Sequence, residues 1–349
     1  MSEDEVSAED ALKNAVVVVV VSFRRPNDIV NCLASLQSSS LTAFEVVVVE
    51  NGGATAFDRL QAELSAKYGP KTDARSSMGS VADPDTANGA RLRWDRVFLP
   101  GGQPVVLIDA GDNLGYGGAI NLAIDCIDKN RRWRGVWILN PDTQPAPSAL
   151  EIVVNHAEQE GFGLVGSRLV DSVHRTIQMR GGARLRQLIG RSTALGYGEP
   201  ANSPANTAEI ERRLEWISGA ATYATRDFIE TVGPMNDRYF LYCEDVDWSL
   251  RRGPFRLGYA HDAVVLHVGG TTTGRVSGLP SDLTIYLSER NRLLLTRSHF
   301  PHLYPLTAMA ACVSLVEYLL RGDLHAFVVA WRGWIAGLKG ETGRPEHLL

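Results

Sequence analysis

Three carboxylates lie within four residues, at Glu244, Asp245 and Asp247, in a segment rich in aromatic side chains. Acids so close together repel one another unless a cation, an arginine or a helix terminus compensates for their charge. The structural alternative is an acidic first helical turn, balanced by Arg251 and Arg252 at helical spacing. The aromatic residues on both sides favour a cleft in which one acid acts as a general base, with its pKa tuned by its neighbours.

A second candidate acid, Asp142, ends the tripeptide Asn140-Pro141-Asp142 after an apolar run. A carboxylate at the end of a buried strand can bind a hard divalent cation whose other ligands are phosphate oxygens. His267 also ends an apolar run, and a neutral imidazole can serve as a metal ligand. Each residue has a structural alternative, which is a turn with an Asx hydrogen bond for Asp142 and a purely structural histidine for His267.

Strands that alternate with helices over roughly the first 160 residues would position these groups, and this alternation predicts a doubly wound α/β sheet. The runs Val16–Val21 and Glu45–Val49 are typical of strands buried on both faces of a parallel sheet. Ligands bind beyond the carboxyl ends of such strands, so the polar residues there are candidates for binding. These residues are Ser22, Glu50, Asn113 and Asp142.

Composition excludes several classes of protein. The 349 residues include 35 Lys+Arg and 40 Asp+Glu, and the net charge of −5 argues against a general nucleic-acid binder. The four cysteines form no C-x-x-C pair, which argues against a disulfide framework or a zinc site and fits a reducing cytoplasm. The acidic N-terminus lacks the pattern of a signal peptide. The apolar region Leu303–Leu320 includes Glu317, and we expect a buried or interfacial helix there.

Three common nucleotide and hydrolase motifs are also missing from the sequence. The chain has no G-x-x-x-x-G-K-[ST] and no G-x-S-x-G segment, and a G-x-G-x-x-G fingerprint starting at Gly115 fails at Ile120. These observations argue against a P-loop enzyme, an α/β-hydrolase and a Rossmann dehydrogenase.

The predicted organisation has three parts. We expect a disordered acidic N-terminus at residues 1–14, a main α/β domain at 15–297 and a helical extension at 298–349. Within the main domain, Gly69–Gly102 is rich in Gly, Pro, Asp and Ser and has little periodicity, which predicts a long surface loop.

Taken in order, the segments resemble the inverting family 2 glycosyltransferases of the GT-A fold, in their bacterial rhamnosyltransferase and galactofuranosyltransferase branch. The resemblance covers roughly Val16 to Pro301. Its motifs are Val17–Pro26 (VVVVVSFRRP), Val46–Gly52 (VVVVENG), Asn113–Asn121 (NLGYGGAIN), Trp137–Thr143 (WILNPDT), Ser218–Ala220 (SGA), Gly233–Arg251 (GPMNDRYFLYCEDVDWSLR), His267–Gly270 (HVGG) and Glu289–Arg292 (ERNR).

This resemblance implies a GT-A-type mixed sheet with a nucleotide-binding half, and a divalent metal, Mn²⁺ or Mg²⁺, held by Asp142 and His267. It implies that Asp245 is the general base and that Glu244 holds the base or contacts the acceptor. The residues implied on the donor side are Ser22, Arg24, Glu50, Asn113, Gly115, Gly118, Asn140 and Asp142. Those on the acceptor side are Trp216, Gly219 and Asp247.

The implied partners are a nucleotide-diphosphate sugar donor, with dTDP-rhamnose or a UDP-sugar as candidates, and a hydroxyl of a glycan or lipid-linked acceptor in cell-surface polysaccharide synthesis. Aromatic and basic residues interleave from Ser298 to Leu349. They predict either peripheral contact with the inner face of the plasma membrane or a helical cap or homo-oligomer contact. The rival functions are a sugar-nucleotide pyrophosphorylase and a catalytically silent sugar-nucleotide-binding module on the same fold.

Overall fold

The computed structural model describes residues 14–69, 86–87, 90–127, 132–268 and 280–348. The strands are β1 (Ala15–Ser22), β2 (Phe44–Glu50), β3 (Thr86–Ala87), β4 (Ala90–Arg91), β5 (Arg93–Phe98), β6 (Pro104–Asp109), β7 (Trp133–Leu139), β8 (Thr143–Pro145), β9 (Phe162–Asp171), β10 (Ile177–Arg180), β11 (Gly182–Arg186), β12 (Arg191–Ala194), β13 (Trp216–Ile217), β14 (Ala221–Thr225) and β15 (Arg256–His267). The α-helices are α1 (Pro26–Leu36), α2 (Ala54–Tyr68), α3 (Gly115–Asp125), α4 (Ala149–Glu160), α5 (Thr207–Arg213), α6 (Arg226–Val232), α7 (Glu244–Leu250), α8 (Asp282–His299), α9 (Tyr304–Leu320) and α10 (Leu324–Lys339).

One mixed sheet of ten strands forms the centre of the structure, in the order β5-β6-β2-β1-β7-β14-β9-β15-β8, with β10 paired to β9. Strands β6, β2, β1 and β7 run parallel, and β14 is antiparallel to β7. This arrangement confirms the predicted α/β class and mixed sheet.

The valine run in β1 explains why this strand lies in the middle of the sheet. Side chains of a strand alternate between its two faces. Val16, Val18 and Val20 pack into one apolar cluster, whereas the odd-numbered valines from 17 to 21 pack into the cluster on the opposite face. A strand that is apolar on both faces is stable only when helices cover both sides of its sheet.

The predicted loop at Gly69–Gly102 is wrong in part, because it contains the edge strand β5, which pairs antiparallel with β6. Charged residues interrupt the apolar pattern of this strand, so the sequence does not predict it. Asp95 is buried and accepts a hydrogen bond from Gln61 on α2 at 2.6 Å, so a helix rather than solvent satisfies this charge. Residues 70–85 and 88–89 lie outside the described residues, as do residues 1–13 of the N-terminal tail predicted at 1–14.

Helices α8, α9 and α10 confirm the predicted helical C-terminal region, and they share an apolar cluster that includes Leu287, Leu315 and Val329. The proposed domain limit at 297 falls in the last turn of α8, and the three-part division stays a prediction. In the part of the chain that the structure describes, the helical segment Pro301–Leu320 is the one long and apolar enough to span a membrane. Its most apolar window is only 17% buried, so the expected alternative of a buried helix is wrong.

Candidate active site

A cleft of about 450 Å³ lies beyond the carboxyl ends of the parallel strands. Its walls come from the ends of β1, β2 and β7, the start of α3, the turn after β13 and the loop that leads into α7. Many of the predicted site residues line it, namely Asn113, Gly115, Asn140, Trp216, Gly219, Glu244, Asp245 and His267.

Asp245 is half-buried in the first turn of α7 and lines this cleft. Its Oδ2 accepts a hydrogen bond from the backbone N–H of Gly219 at 3.0 Å, and its Oδ1 accepts one from Val246 at 2.8 Å. Burial raises the pKa of Asp245, and these N–H donors oppose that effect. Donors that bond the ionised form stabilise it, so Asp245 is the member of the acid pair better suited to carry the negative charge.

Glu244 is only 4% exposed, and its Oε2 has no hydrogen-bond partner among the residues that the structure describes. Burial, followed by the charge of Asp245, raises the pKa of Glu244 to about 8. Two neighbouring acids in a buried site hold one proton between them near neutral pH. The difference in hydrogen bonding places that proton on Glu244 and the negative charge on Asp245.

Asp247 does not lie in the cleft, which contradicts the acceptor-side placement expected for it. Two residues along a helix correspond to a rotation of about 200°, so Asp247 faces away from the side that carries Asp245. It accepts hydrogen bonds from Arg251 Nε at 2.7 Å and His299 Nε2 at 2.8 Å. Burial opposes ionisation, but these donors outweigh it and lower the pKa of Asp247. Asp247 therefore stabilises the junction of α7 and α8.

Asp142 and His267 are brought together by the pairing of β8 with β15, which sets His267 opposite Thr143. Nε2 of His267 lies 3.3 Å from Oδ1 of Asp142, while Gln178 Oε1 lies 2.7 Å from Nδ1. The Gln178 amide nitrogen lies 3.1 Å from the backbone carbonyl oxygen of His267 and 3.4 Å from Oδ2 of Asp171. Both of these are acceptors, which fixes the amide orientation and makes Nδ1 the donor nitrogen of the ring.

Nε2 is therefore the ring nitrogen that faces Oδ1 of Asp142, and it also lies 3.5 Å from Nδ2 of Asn140. A ring nitrogen without a proton and a carboxylate oxygen this close together can share a cation, and a partner that holds the other ring nitrogen is typical of metal-ligating histidines. No group of three or more His, Cys, Asp or Glu side chains suited to a metal occurs within the described ranges. A metal held by this pair would complete its coordination with substrate oxygens and water.

Asn51 organises the cleft wall formed by Asn113 and the start of α3, and the sequence analysis assigned it no role. Its Nδ2 donates to Asn113 Oδ1 at 2.9 Å and to the carbonyl of Gly115 at 3.1 Å, while its Oδ1 accepts from the N–H of Leu114 at 2.9 Å. Gly115 has φ +75°, and a Cβ there would lie 2.1 Å from the carbonyl oxygen of Phe240. Only glycine fits this position, because both the φ angle and the close approach exclude a side chain.

Ser22 and Glu50 do not face the cleft, contrary to the predicted contact with the donor. Both are fully buried, and Ser22 Oγ donates to Glu50 Oε2 at 2.5 Å. The other oxygen of Glu50 accepts from the N–H groups of Arg24 at 3.1 Å and Gly52 at 2.8 Å. The carboxylate therefore holds the two turns that follow β1 and β2.

Arg24 and Gly118 lie outside the main cleft. Arg24 lines a neighbouring pocket of about 280 Å³, together with Asn113 and Arg344. Gly118 sits in α3 beside Leu114 and lines a different pocket on the far side of that helix. The donor-side roles of these two residues stay predictions.

Tyr116 connects the two walls of the cleft and is a second residue that sequence reasoning missed. Its hydroxyl lies 2.9 Å from Asn140 Oδ1 and 2.7 Å from the carbonyl oxygen of Gly219. Burial and the nearby acids raise the pKa of Tyr116 well above its ordinary value, so the hydroxyl stays protonated. Trp216 lines the opposite side, where its indole nitrogen donates to Ser192 at 3.1 Å.

Two solved structures share this architecture over most of the chain. The structure titled S. aureus TarS 1-349 in complex with UDP-GlcNAc matches with a TM-score of 0.51 at 13% identity, over 93% of this chain and 81% of that chain. The mannosyltransferase PcManGT from Pyrobaculum calidifontis, in complex with GDP-Man and Mn²⁺, matches with a TM-score of 0.50 at 12% identity, over 93% and 87%. The chain has the GT-A glycosyltransferase fold.

Curated relatives of this GT-A chain are named as glycosyltransferases. An N-acetylglucosaminyl-diphospho-decaprenol L-rhamnosyltransferase of Mycobacterium tuberculosis is 32% identical over 193 residues, which are 49% of this chain and 61% of the relative. The low-salt glycan biosynthesis hexosyltransferase Agl10 of Haloferax volcanii is 23% identical over 254 residues, 69% of this chain and 78% of the relative. The first match spans less than two thirds of the relative's length. No family model matches the chain.

Proposed function

We propose that this chain is an inverting glycosyltransferase that moves a sugar from a nucleotide-diphosphate donor to a hydroxyl of a lipid-linked glycan acceptor. The observation that carries the proposal is the acid pair, in which Asp245 is hydrogen-bonded at the cleft wall and Glu244 is buried beneath it. The similarity to the mycobacterial rhamnosyltransferase supports dTDP-rhamnose as the first donor to test, with UDP-sugars next. Cell-surface polysaccharide synthesis is the process that such a transfer would serve.

In this mechanism Asp245 takes the proton of the acceptor hydroxyl as its oxygen attacks the anomeric carbon. The new C–O bond forms on the face opposite the breaking bond to the phosphate oxygen, so one displacement inverts the anomeric configuration. The nucleoside diphosphate leaves with the bonding electrons. Glu244 stays protonated, which keeps a second negative charge away from the base.

Asp142 and His267 would hold the divalent cation, Mn²⁺ or Mg²⁺, and Gln178 would keep the His267 ring in the ligating tautomer. A bound cation supplies charge neutralisation for the leaving diphosphate. Asn51 and Tyr116 shape the donor and acceptor walls through their hydrogen bonds to Asn113, Gly115, Asn140 and Gly219.

We also propose that the protein works at the cytoplasmic face of the membrane, where a lipid-linked acceptor is accessible. Helix α9 exposes an apolar stripe at heptad-like spacing, formed by Leu306, Met309, Val313, Val316 and Leu320. An exposed apolar stripe suits a lipid interface, and the following helix α10 also exposes an aromatic and a basic residue, Trp331 and Arg332. In a flotation assay with anionic vesicles, the wild type should float and Val313→Asp should remain at the bottom. A self-associated protein that does not float would indicate a homo-oligomer contact instead.

The activity is tested with Asp245→Asn, Asp142→Asn and the exposed control Asp262→Asn. With dTDP-rhamnose or UDP-sugars and a polyprenyl-diphospho-N-acetylglucosamine acceptor, Asp245→Asn should lower transfer by about 10²- to 10⁴-fold, the usual contribution of a general base. The thermal shift caused by dTDP or UDP with Mn²⁺ should persist in Asp245→Asn and disappear in Asp142→Asn. The control should behave as the wild type.

The rival functions give different results in the same assay. Nucleoside triphosphate formed when pyrophosphate is added to the donor would support a pyrophosphorylase. Nucleotide binding without turnover by the wild type would support a catalytically silent module. Full transfer activity in Asp245→Asn would refute the assigned base.

A further inference from the structure

The loop that leads into α7 holds an unusual backbone conformation. Phe240, Tyr242 and Cys243 have φ angles of +66°, +68° and +74°. Residues with a Cβ rarely adopt positive φ, and such strain persists only where surrounding contacts impose it. The loop ends at Cys243, the N-cap residue of α7, directly before Glu244 and Asp245. Its conformation therefore determines where both acids point.

One buried amide on α8 binds most of this loop. Asn291 is fully buried, and its Nδ2 lies 3.0 Å, 2.8 Å and 2.9 Å from the carbonyl oxygens of Tyr239, Leu241 and Tyr242. Its Oδ1 accepts from Arg290 Nε at 2.9 Å, which fixes the orientation of the amide. Three carbonyl groups so close in sequence converge on one nitrogen only because the chain folds back on itself at the strained residues.

The neighbouring Arg290 strengthens the same attachment. It is 1% exposed, and its guanidinium donates to the carbonyl of Tyr239 at 2.8 Å and to that of Gly343 at 2.7 Å. On the opposite side, the carbonyl of Phe240 accepts from the N–H of Tyr116 at 2.7 Å. The loop is thus held between α8 and α3, whose Tyr116 also contacts Gly219, the hydrogen-bond donor to Asp245.

We propose that Asn291 is a positioning residue that holds loop 239–243 in its strained conformation and so aims Asp245 at Gly219 and the cleft. The catalytic consequence rests on the proposed function, whereas the structural part does not. An amide is suited to this task because it offers two N–H groups to carbonyl oxygens without introducing a charge.

The structural part is tested by hydrogen exchange on Asn291→Ala. Peptides that cover 239–247, together with the amides of Tyr116 and Gly219, should exchange faster, while α9 and α10 should be unchanged. The matched control is Thr296→Val on the same helix. It removes a buried hydroxyl that donates to the carbonyl of Arg292 within the helix. Unchanged exchange in 239–247, or equal effects of the two variants, would overturn the proposal whether or not the protein transfers sugar.

The catalytic part is tested by kinetics and by a rescue. In Asn291→Ala we expect kcat to fall on the order of 100-fold, because small displacements of a reacting group have effects of that size, with little change in KM for the donor. Adding Cys243→Gly should recover roughly tenfold, because glycine accepts positive φ without strain. If the wild type has no transferase activity but loop 239–243 exchanges faster in Asn291→Ala, the proposed function is refuted and the structural part of this proposal is supported.

Two further outcomes also decide the proposal. A merely structural asparagine would lower stability without rescue by Cys243→Gly, so an active wild type whose variant is not rescued overturns the positioning role. If Asn291→Ala yields no soluble protein, the double variant becomes the test. If the double variant is soluble, the strained loop is the cause of the misfolding. If the double variant is also insoluble, the proposal is overturned.

Discussion

Replacing Glu244 by glutamine tests whether this buried carboxyl is protonated in the folded protein. The side chain is 4% exposed, Oε2 lacks a hydrogen-bond partner among the described residues, and Asp245 is the next residue. Glutamine has nearly the same shape but cannot ionise. The substitution therefore removes the titration and leaves the packing almost intact.

The size of the effect follows from the difference in proton binding between the two states. The pKa of Glu244 is about 8 in the folded protein, against 4.5 for an unperturbed glutamate, so between these values the folded state binds more protons. Rising pH then destabilises the wild type by about 1.4 kcal/mol per pH unit. From pH 5 to pH 7 the stability advantage of Glu244→Gln should grow by about 2 to 3 kcal/mol, because the unfolded side chain is still partly protonated at pH 5. This corresponds to about 3 to 4 °C in Tm, because a chain of 349 residues has an unfolding entropy of roughly 0.7 kcal/mol/K.

The assay is thermal unfolding of both proteins from pH 5 to pH 7 in EDTA, which excludes effects of bound cations. Glu230→Gln serves as the control, because Glu230 is largely exposed and pairs with Arg226 on the same helix. We expect the Tm difference between control and wild type to stay constant with pH. A constant difference for Glu244→Gln as well would mean that Glu244 is ionised in the folded state, and would refute the assignment of the shared proton.

Two further substitutions test the walls of the cleft. Gly115→Ala should lower the free energy of unfolding by about 3 kcal/mol or more, measured in urea, whereas Gly111→Ala, which has φ +77° but open space around it, should cost about 1 kcal/mol. Equal losses would contradict the close approach. Gln178→Ala should weaken Mn²⁺ binding by about 10- to 100-fold in calorimetry, because His267 loses its orienting partner, while the exposed control Gln144→Ala should not. Unchanged affinity would argue against the metal pair.

The central sheet could be predicted because its signal lies in the strands themselves. Val16–Val21 is apolar on both faces, and such a run is stable only inside a sheet covered by helices. Strand β5 escaped prediction for the opposite reason, since the partner of Asp95 lies on α2 and is separated by a long stretch of sequence. The local pattern of apolar residues identifies a strand only when the burial of its side chains does not depend on polar partners that are distant in sequence.

Only part of the candidate site could be predicted from the sequence. The proposed base Asp245 and the pair Asp142 and His267 do line or adjoin the cleft, because the ends of parallel strands and the following turns meet at one edge of the sheet. Glu50 occupies a comparable strand end, yet two backbone N–H groups and Ser22 use its oxygens. Position along a strand predicts proximity to the cleft, but it does not predict which donors reach a carboxylate first.

The residues that sequence reasoning missed include three buried or half-buried amides, Asn51, Gln178 and Asn291. Asn51 and Gln178 each hold a segment that lies far away in sequence through both the oxygen and the nitrogen of the amide, whereas Asn291 holds loop 239–243 through its nitrogen while its oxygen accepts from the adjacent Arg290. An amide carries no charge and has no hydrophobic period, so neither charge pattern nor periodicity reveals it. Many of its partners are backbone groups, which every residue possesses. The motif Glu289–Arg292 contains Asn291 but does not reveal its partners in loop 239–243, and these distant contacts determine the position of Asp245.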